Sequence, residues 1–322
     1  CYGGIYVDDN APAEWYDEFH VRTIQEGINN ATSIRNTVYV WNGTFDENIV
    51  VNKTGITVDA NSSVLLDGND GYGINISCNS SIVKDFHVYN CSYGIYIYNS
   101  SFDVHHVTVQ ANSINNSSAN AVKLENTNNI TVTSNTIENT SLSCIYLNTA
   151  SNNTISSNTI INVTDYGIFL YLSDNNTISS NTIYENASGE NPNGIQIRLS
   201  SHSNLIQSNT IYNMSTGIRI EASNQPSNFN EILSNTLYNN SAEGIIISQS
   251  ANSTIENNSI FNQTSTTNEG IYCNEANNTT ISSNTIYNTS VGISFQSCSN
   301  NTIFKNNIYN NSKGIRLKSS ID

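Results

Sequence analysis

Asp, Glu, Lys and Arg make up only 11% of this 322-residue chain, and the chemistry open to them depends on whether any converge. Paired carboxylates can divide general acid and general base roles, and clustered aspartates can hold a hard cation through oxygen ligands. The acidic residues are spread out. Asp8 and Asp9, then Asp46 and Glu47, lie near the start, and Asp67 and Asp70 flank a glycine-containing turn. Asp165, Asp174, Glu185, Glu190, Glu221 and Glu231 stand singly or in loops. His87, His105 and His106 are near enough in sequence to share a metal, but no cysteine or carboxylate completes a ligand set at the usual spacing. His20 and His202 are isolated, and the glycines at Gly3 and Gly4 are not followed by the Lys-Ser or Lys-Thr of a phosphate loop. Arg198 and Glu221 occupy the same place in successive repeats and read as a surface ion pair, with a substrate clamp as the second reading. No catalytic residue, metal site or cofactor is expected from this pattern, and the chain reads as non-enzymatic.

Composition narrows the partners. The net charge is −15 and the pI about 4.5, with eleven scattered Lys and Arg, so phosphate neutralisation and nucleic-acid binding are disfavoured. No apolar run of about 18 residues exists to cross a membrane. The chain begins at Cys1 rather than Met, which reads as a mature form whose leader was removed. Six cysteines in an exported chain favour disulfides, and Cys78 with Cys91 and Cys273 with Cys298 are the expected pairs. Cys1 and Cys144 are left to pair with each other or between subunits, or Cys1 to carry a lipid.

The elements that must position these residues come from one repeating phrase, Asn-x-Thr-Ile-x-Ser-Asn-Thr-Ile-Tyr-Asn, a variable loop, then Gly-Ile-x-apolar. Examples of the second part are Gly194-Ile195-Gln196-Ile197 and Gly217-Ile218-Arg219-Ile220. The period of about 22–28 residues is that of a solenoid. Alternation with period 2 inside each short run means strands, and Ile and Val suit the inward positions. The fold expected is all-β, a right-handed parallel β-helix of about 11 coils. His20 to Ala31 carries Val21, Ile24, Ile28 and Ala31 at helical spacing, which predicts a capping helix over 20–31. Residues 1–60 then form the cap and first strands and 61–322 the coils, effectively as a single domain.

Asparagine recurs at Asn135, Asn158, Asn181, Asn209, Asn235, Asn258, Asn284 and Asn307. Stacked at about 4.8 Å, these side chains would form a structural ladder and take the left-handed corner conformation that Asn tolerates. Phe86 and Val107 occupy the equivalent places in the first coils. Asn-x-Ser/Thr acceptors for N-linked glycans form two further columns. One is Asn139, Asn162, Asn213, Asn239, Asn262, Asn288 and Asn310, and the other Asn129, Asn152, Asn175, Asn252, Asn277 and Asn300. Beside the first runs an outward aromatic stripe, Tyr184, Tyr212, Tyr238, Phe261, Tyr287 and Tyr309.

The opening "IYVDDNAPAEWYDEFHVRTIQEGINNATS", the stretch "NTVYVWNGTFDENIVVNKTGITVDA" and the coils that follow resemble the NosD-type, pectin-lyase-like parallel β-helix repeat proteins, especially surface proteins of archaea. The resemblance covers essentially the whole chain. It implies the β-helix, and functions ranging from polysaccharide lyases to cell-surface scaffolds. Polysaccharide-active members, so the resemblance implies, use clustered carboxylates, often with calcium, and a basic residue on one exposed sheet. With the acids here read as dispersed, the expectation is an extracellular, N-glycosylated structural subunit that self-assembles head to tail into a surface layer, sheath or filament. The alternative is a carbohydrate-active enzyme, a polysaccharide lyase or hydrolase, or a carbohydrate-binding or adhesin module on the same fold.

Overall fold

A computed structural model describes residues 3–61, 64–186, 192–222, 224–264 and 268–319. Cys1 and Glu190 lie outside the described residues. Parallel strands wind into a β-helix of about 12 turns with very little helix. The chain divides into two compact units, Cys1–Tyr146 and Leu147–Asp322.

In the first unit the strands Ile5–Val7, Thr37–Val40, Thr57–Ala60, Ile82–Lys84, Thr108–Gln110 and Thr131–Thr133 pair in parallel and in register. Ile5, Val38, Val58, Val83, Val109 and Val132 therefore fall in one column, all fully buried. A helix, Ile24–Asn30, closes over this apolar rung with Ile24, Gly27 and Ile28 buried. It is shorter than the span 20–31 because His20–Val21 is drawn into strand pairing with Tyr6 and Val7. Thr23 caps its N-terminus by accepting from Glu26 N at 3.1 Å, and Glu47 accepts from Ile24 N and Gln25 N at 2.9 and 3.1 Å. Glu47 is thus held by the helix end, where a carboxylate complements the unpaired N–H groups.

The second unit repeats three strands per coil. Ile155, Ile178, Ile206, Ile232, Ile255 and Ile281 form one inward column. Ile183, Ile211, Leu237, Ile260 and Ile286 form the next, and Ile168, Ile195, Ile218, Ile245, Ile271 and Ile293 the third. All are buried, and each contributes about 1.5–3 kcal/mol relative to exposure. The glycine that opens the third strand is required by close approach. A Cβ on Gly194 would lie 2.5 Å from Gly217 O, and one on Gly244 2.6 Å from Gly270 O.

The asparagine ladder is present and more demanding than a simple stack. The backbone N and the Nδ2 of Asn181 both donate to Asn209 Oδ1 at 3.0 Å, and Asn209 donates likewise to Asn235 at 2.9 and 3.0 Å. Each Nδ2 also reaches back to a carbonyl of the preceding coil, as Asn209 does to Ile178 O at 2.9 Å. The last member is Asn306, not Asn307. Asn284 donates to Asn306 Oδ1, whereas Asn307 takes the outward position beside Thr285 on the strand Asn307–Tyr309. In the first unit the ladder starts at Asn112, which bonds Asn135 and accepts from Phe86 N. Asn112, not Val107, holds the equivalent place. The left-handed corner belongs to the residue before each ladder asparagine, such as Ser180 and Ser208 with φ of 56° and 55°. A second ladder runs through Asn153, Asn176, Asn204 and Asn230. At Asn153 and Asn176 it is written as the second Asn of Asn-Asn-Thr-Ile, and at Asn204 and Asn230 only the Asn two before the inward Ile remains.

The expected disulfides are absent. Cys78, Cys91, Cys144, Cys273 and Cys298 are all buried outside any disulfide. In a solenoid, residues meet at whole-coil separations, and Cys78 and Cys91 are about half a coil apart; their Sγ atoms face Ser81 and Ser117 instead. Cys273 and Cys298 are one coil apart but in different columns. Cys273 aligns with Ile247 and Phe295, while the Cys298 thiol donates to Cys273 O at 3.3 Å. Cys144 is fully buried, so its thiol cannot bridge to a neighbouring subunit.

Replacing Asn209 by Ala leaves the backbone N–H of Asn181 unpaired in the core and removes one of the two bonds of its Nδ2, which keeps Ile155 O. The expected loss is about 2–4 kcal/mol in urea unfolding, against about 1 kcal/mol for the exposed Asn213→Ala, whose cost is the left-handed φ of 57° that Ala tolerates less well.

Candidate functional site

Three sheet faces surround each coil of the second unit, and they differ in what they show outward. Strands such as Thr177–Ser179 and Thr154–Ser156 present Thr and Ser. The face with the aromatic stripe is a column of rings, from Tyr184 to Tyr309, with centroids 4.8–5.2 Å apart and planes within 8° of parallel. The third face, built on the Gly-Ile-x-apolar strands, is where charge concentrates. Its outward positions include Tyr166, Arg198, Arg219, Glu221, Glu269, Tyr272 and Arg316, with Glu243 just ahead of its strand.

Register explains the convergence. Arg198 pairs with Glu221, and Gln196 with Arg219, on adjacent strands. The expected Arg198–Glu221 ion pair is present, at 3.1 Å, but it is not isolated, since Arg219 Nε reaches the same carboxylate oxygen at 3.2 Å. Two places along the face, Glu243 and Glu269 stand one coil apart, because Ile245 pairs with Ile271. Glu269 is 6% exposed and is bonded by Arg316, whose Nε also donates to Ser294 Oγ at 3.1 Å. Gln196 Nε2 and Arg198 Nε are buried without hydrogen-bond partners, in contrast to the satisfied amides of the ladders.

The environments push these carboxyls in opposite directions. Burial raises Glu243 above the ordinary carboxylate range, against the partial offset of Arg219 and a hydrogen bond from Thr216. Burial also raises Glu269, with Arg316 opposing and the charge of Glu243 adding to the rise. For Glu221 burial pushes up as well, but the bonds and charges of Arg219 and Arg198 outweigh it and hold the group low. Carboxyls driven apart in this way can divide proton donation and proton acceptance. Tyr166 is raised by burial and by Asp165, so its hydroxyl stays protonated and able to donate.

A groove of about 600 Å³ borders the same face, where Ala222, Gln249 and Glu275 follow the strands Thr216–Glu221, Ile245–Ser248 and Glu269–Asn274. Asn224, Pro226 and Asn228 wall it, and Gln249 Nε2 bonds Glu275 Oε2 at 3.1 Å inside it. In the first unit the corresponding strands carry stacked Tyr72, Tyr93, Tyr96 and Tyr98. Lys123 lies 4.9 Å from the Tyr96 ring centroid and 2.7 Å from Glu125, to which the Tyr96 hydroxyl donates.

Sequence reasoning missed Glu243 and Glu269 because each lies in or beside a loop of variable length. Their common distance to the following Gly-Ile pair was the available signal. The other acids it named are mostly spent locally. Asp67 accepts from Asn69 N and Asn90 Nδ2, Asp174 accepts from His202 N, and Glu231 is exposed. Among the glycan acceptors, Asn129, Asn139, Asn152, Asn175, Asn213, Asn239, Asn252, Asn262, Asn288, Asn300 and Asn310 are exposed with positive φ. Asn162 is half-buried with positive φ, and Asn277 is half-buried, its Oδ1 accepting from Ser299, while Asn278 takes the left-handed corner.

With this geometry in view, comparison with known proteins places the chain. The family described as periplasmic copper-binding protein (NosD) matches residues 16–189, 102–241 and 185–322. The chain belongs to the NosD family. No curated protein sequence matches it. Among solved structures, the A-module of the mannuronan C-5 epimerase AlgE6 of Azotobacter vinelandii is similar at a TM-score of 0.67 and 15% identity, covering 92% of this chain and 93% of that one. The Dettilon tailspike protein gives 0.72 and 16%, covering 98% and 68%. The catalytic domain of a GH87 alpha-1,3-glucanase, in complex with nigerose, gives 0.63 and 15%, covering 99% and 69%. These are likenesses of fold. They overturn the expectation of a non-enzymatic chain, because coil stacks of the same kind carry catalysis in the epimerase and the glucanase.

The copper of the family's description does not fit the residues of this NosD-family chain. Copper favours Cys, Met and His ligands. The sole methionine, Met214, is 2% exposed, and the five described cysteines are buried in the core. His105 bonds Asn79 and His106, and His202 Nδ1 accepts from Asn228 N. Among the described residues no three His, Cys, Asp or Glu side chains converge on a common point. Nor is any described helix long and apolar enough to cross a membrane.

Opposed carboxyl shifts give opposed pH dependences. A raised carboxyl stabilises the fold below its ordinary pKa and loses that contribution as pH rises through the folded value. Glu243→Gln should therefore raise the melting temperature at pH 8.5 by about 1–3 °C, with no difference near pH 3.5. Glu221 is depressed, so its contribution is present above the ordinary carboxylate pKa and lost on acidification. Glu221→Gln should lower the melting temperature at pH 8.5, and the gap should narrow as pH falls.

Proposed function

We propose that this chain is an exported polysaccharide-acting enzyme that cleaves glycosidic bonds on the charged face of the second unit. The observation that carries the reading is the desolvated pair Glu243 and Glu269, one coil apart beside Arg219 and Arg316. One carboxyl of such a pair stays protonated and delivers its proton to the glycosidic oxygen, while an ionised carboxylate accepts the proton of the attacking water or itself attacks the sugar carbon. Arg198 and Arg219 are committed to Glu221, which leaves them poorly placed to neutralise a uronate and favours a neutral chain. The adjoining groove gives an extended polymer room to lie along the strand ends. The glucanase supports the reading as a fold neighbour named for an alpha-1,3-glucan, a neutral polymer.

The test is release of reducing ends from soluble neutral glucans, mannans and galactans, with mannuronan alongside. Wild-type turnover is expected on a neutral polymer, and Glu243→Gln should lower kcat by about 10²–10⁴-fold with little change in KM. No turnover on any polymer, or an unimpaired Glu243→Gln variant, overturns the proposal. Unsaturated products from mannuronan alone would replace hydrolysis by elimination.

A second reading, compatible with the first, is N-glycosylation. The exposed left-handed corners of the two acceptor columns support it. Adjacent acceptors are close enough that Asn288 Nδ2 donates to Asn262 Oδ1 at 2.9 Å, so neighbours should compete for the bulky modification. Peptide mapping of native material should find glycan at Asn213 or Asn239, at lower occupancy where both carry it, and none at Asn277.

A further inference from the structure

The first unit carries an aromatic patch that no step of the proposed reaction uses. Tyr6 and Tyr39 occupy outward positions on adjacent strands and stack with centroids 5.5 Å apart and planes at 22°. His20 stacks on Tyr6 from the other side, also at 5.5 Å. Trp41 meets Tyr6 edge-on at 5.9 Å, and the short turn Ala13–Trp15 brings Trp15 to 4.6 Å from His20 and 5.9 Å from Trp41. Trp41 remains 44% exposed and Tyr39 37%. What sets this patch apart from the tyrosine columns elsewhere on the chain is that it holds both tryptophans, Trp15 and Trp41.

Two hollows adjoin these rings. One, of about 310 Å³, is lined by Asp8, Trp41, Asn42 and Asn61. The other, of about 170 Å³, is lined by Tyr39, Trp41, Asp59 and Asn61 among others. Flat apolar faces bordered by carboxylate and amide oxygens suit a ligand with an apolar face and a rim of hydroxyls, which is the shape of a pyranose ring. Charge chooses among sugars. Asp8 and Asp9 lie at the patch, Asp59 is neutralised there by Lys84 at 2.8 Å, and the other nearby cations are engaged on rings, Arg22 over Tyr16 and Arg35 over Phe19. An anionic chain would be repelled. Because both hollows share Trp41 and Asn61, the surface is wider than one hollow.

We infer that the patch formed by Tyr39, Trp41 and Trp15, with Asp8, Asn42 and Asn61 at its rim, is a non-catalytic binding site for a run of neutral hexopyranose units. It contains none of the residues of the charged face, so it stands or falls separately from the proposed reaction.

The chain's two tryptophans, Trp15 and Trp41, both lie here, so intrinsic tryptophan emission reports on this site. The intact protein titrated with neutral glucan, mannan and galactan hexaoses should show a saturable emission change with at least one of them, and a weaker one or none with mannuronate hexaose. Tyr39→Ala, which keeps both reporters, should weaken binding about tenfold. Asn42→Ala, which leaves the ring stack in place, should weaken it roughly threefold. Glu243→Gln should leave binding unchanged while abolishing turnover, which separates the two proposals. Thermal melts establish that the variants are folded, and if Tyr39→Ala is not, Asn42→Ala decides. The inference is overturned by no saturable change with any neutral hexaose, by binding unaltered in the folded variants, or by tighter binding of mannuronate.

Discussion

Everything in this fold depends on identical short strands lying in register, one coil above the next, and the interaction that enforces the register is the doubled hydrogen bond at the ladder asparagines. Two donors from one residue, the backbone N–H and the side-chain Nδ2, enter a single Oδ1 one coil away. A slip by one residue would unpair both and turn the inward isoleucines outward. Apolar burial supplies the driving force, but it is indifferent among neighbouring isoleucines. The amide column is not, and it converts a thin core into a unique stack.

Regularity inside leaves latitude outside. Because inward columns, glycine approaches and corner amides are satisfied by the repeating phrase, the outward positions of the Gly-Ile-x-apolar strands are released to vary. In the second unit that freedom is used for Arg198, Arg219, Glu221, Glu269 and Arg316, where Arg198 meets Glu221 one coil on and Arg316 reaches Glu269 two coils back. Stacking brings far-apart residues side by side without a dedicated loop. It also buries them partly, and desolvation is what moves Glu243 and Glu269 in the direction opposite to Glu221.

The parts legible in the sequence were those the period writes out. Strand columns, the ladder from Asn135 to Asn284 and the aromatic stripe follow from spacing alone. Errors entered where the period wavers. Lys305-Asn306-Asn307-Ile308 has two asparagines before its isoleucine, and the spacing of the other members, two residues before the inward one, selects Asn306, as the hydrogen bond does. The corner conformation fell to Ser180 and its equivalents because the asparagine side chain was already needed inside the turn. Cysteine pairing read from sequence proximity failed because proximity within a coil is distance in space. The charged face was hidden for a related reason: loops of unequal length separate Glu221, Glu243 and Glu269, so their common face appears only once the strands are aligned.

The amide columns also bear on how such a chain ages. Asparagine decays when its side-chain carbonyl carbon is attacked by the backbone nitrogen of the next residue, which requires that nitrogen to be free and the local backbone to swing. At Asn181 and Asn209 the following nitrogens, on Thr182 and Thr210, are tied at 2.9 Å to carbonyls of the preceding coil, and the side chains themselves are held at both ends. Spontaneous loss of amides should therefore spare the interior and fall on the outer corners, leaving the stack sound as its surface gains negative charge.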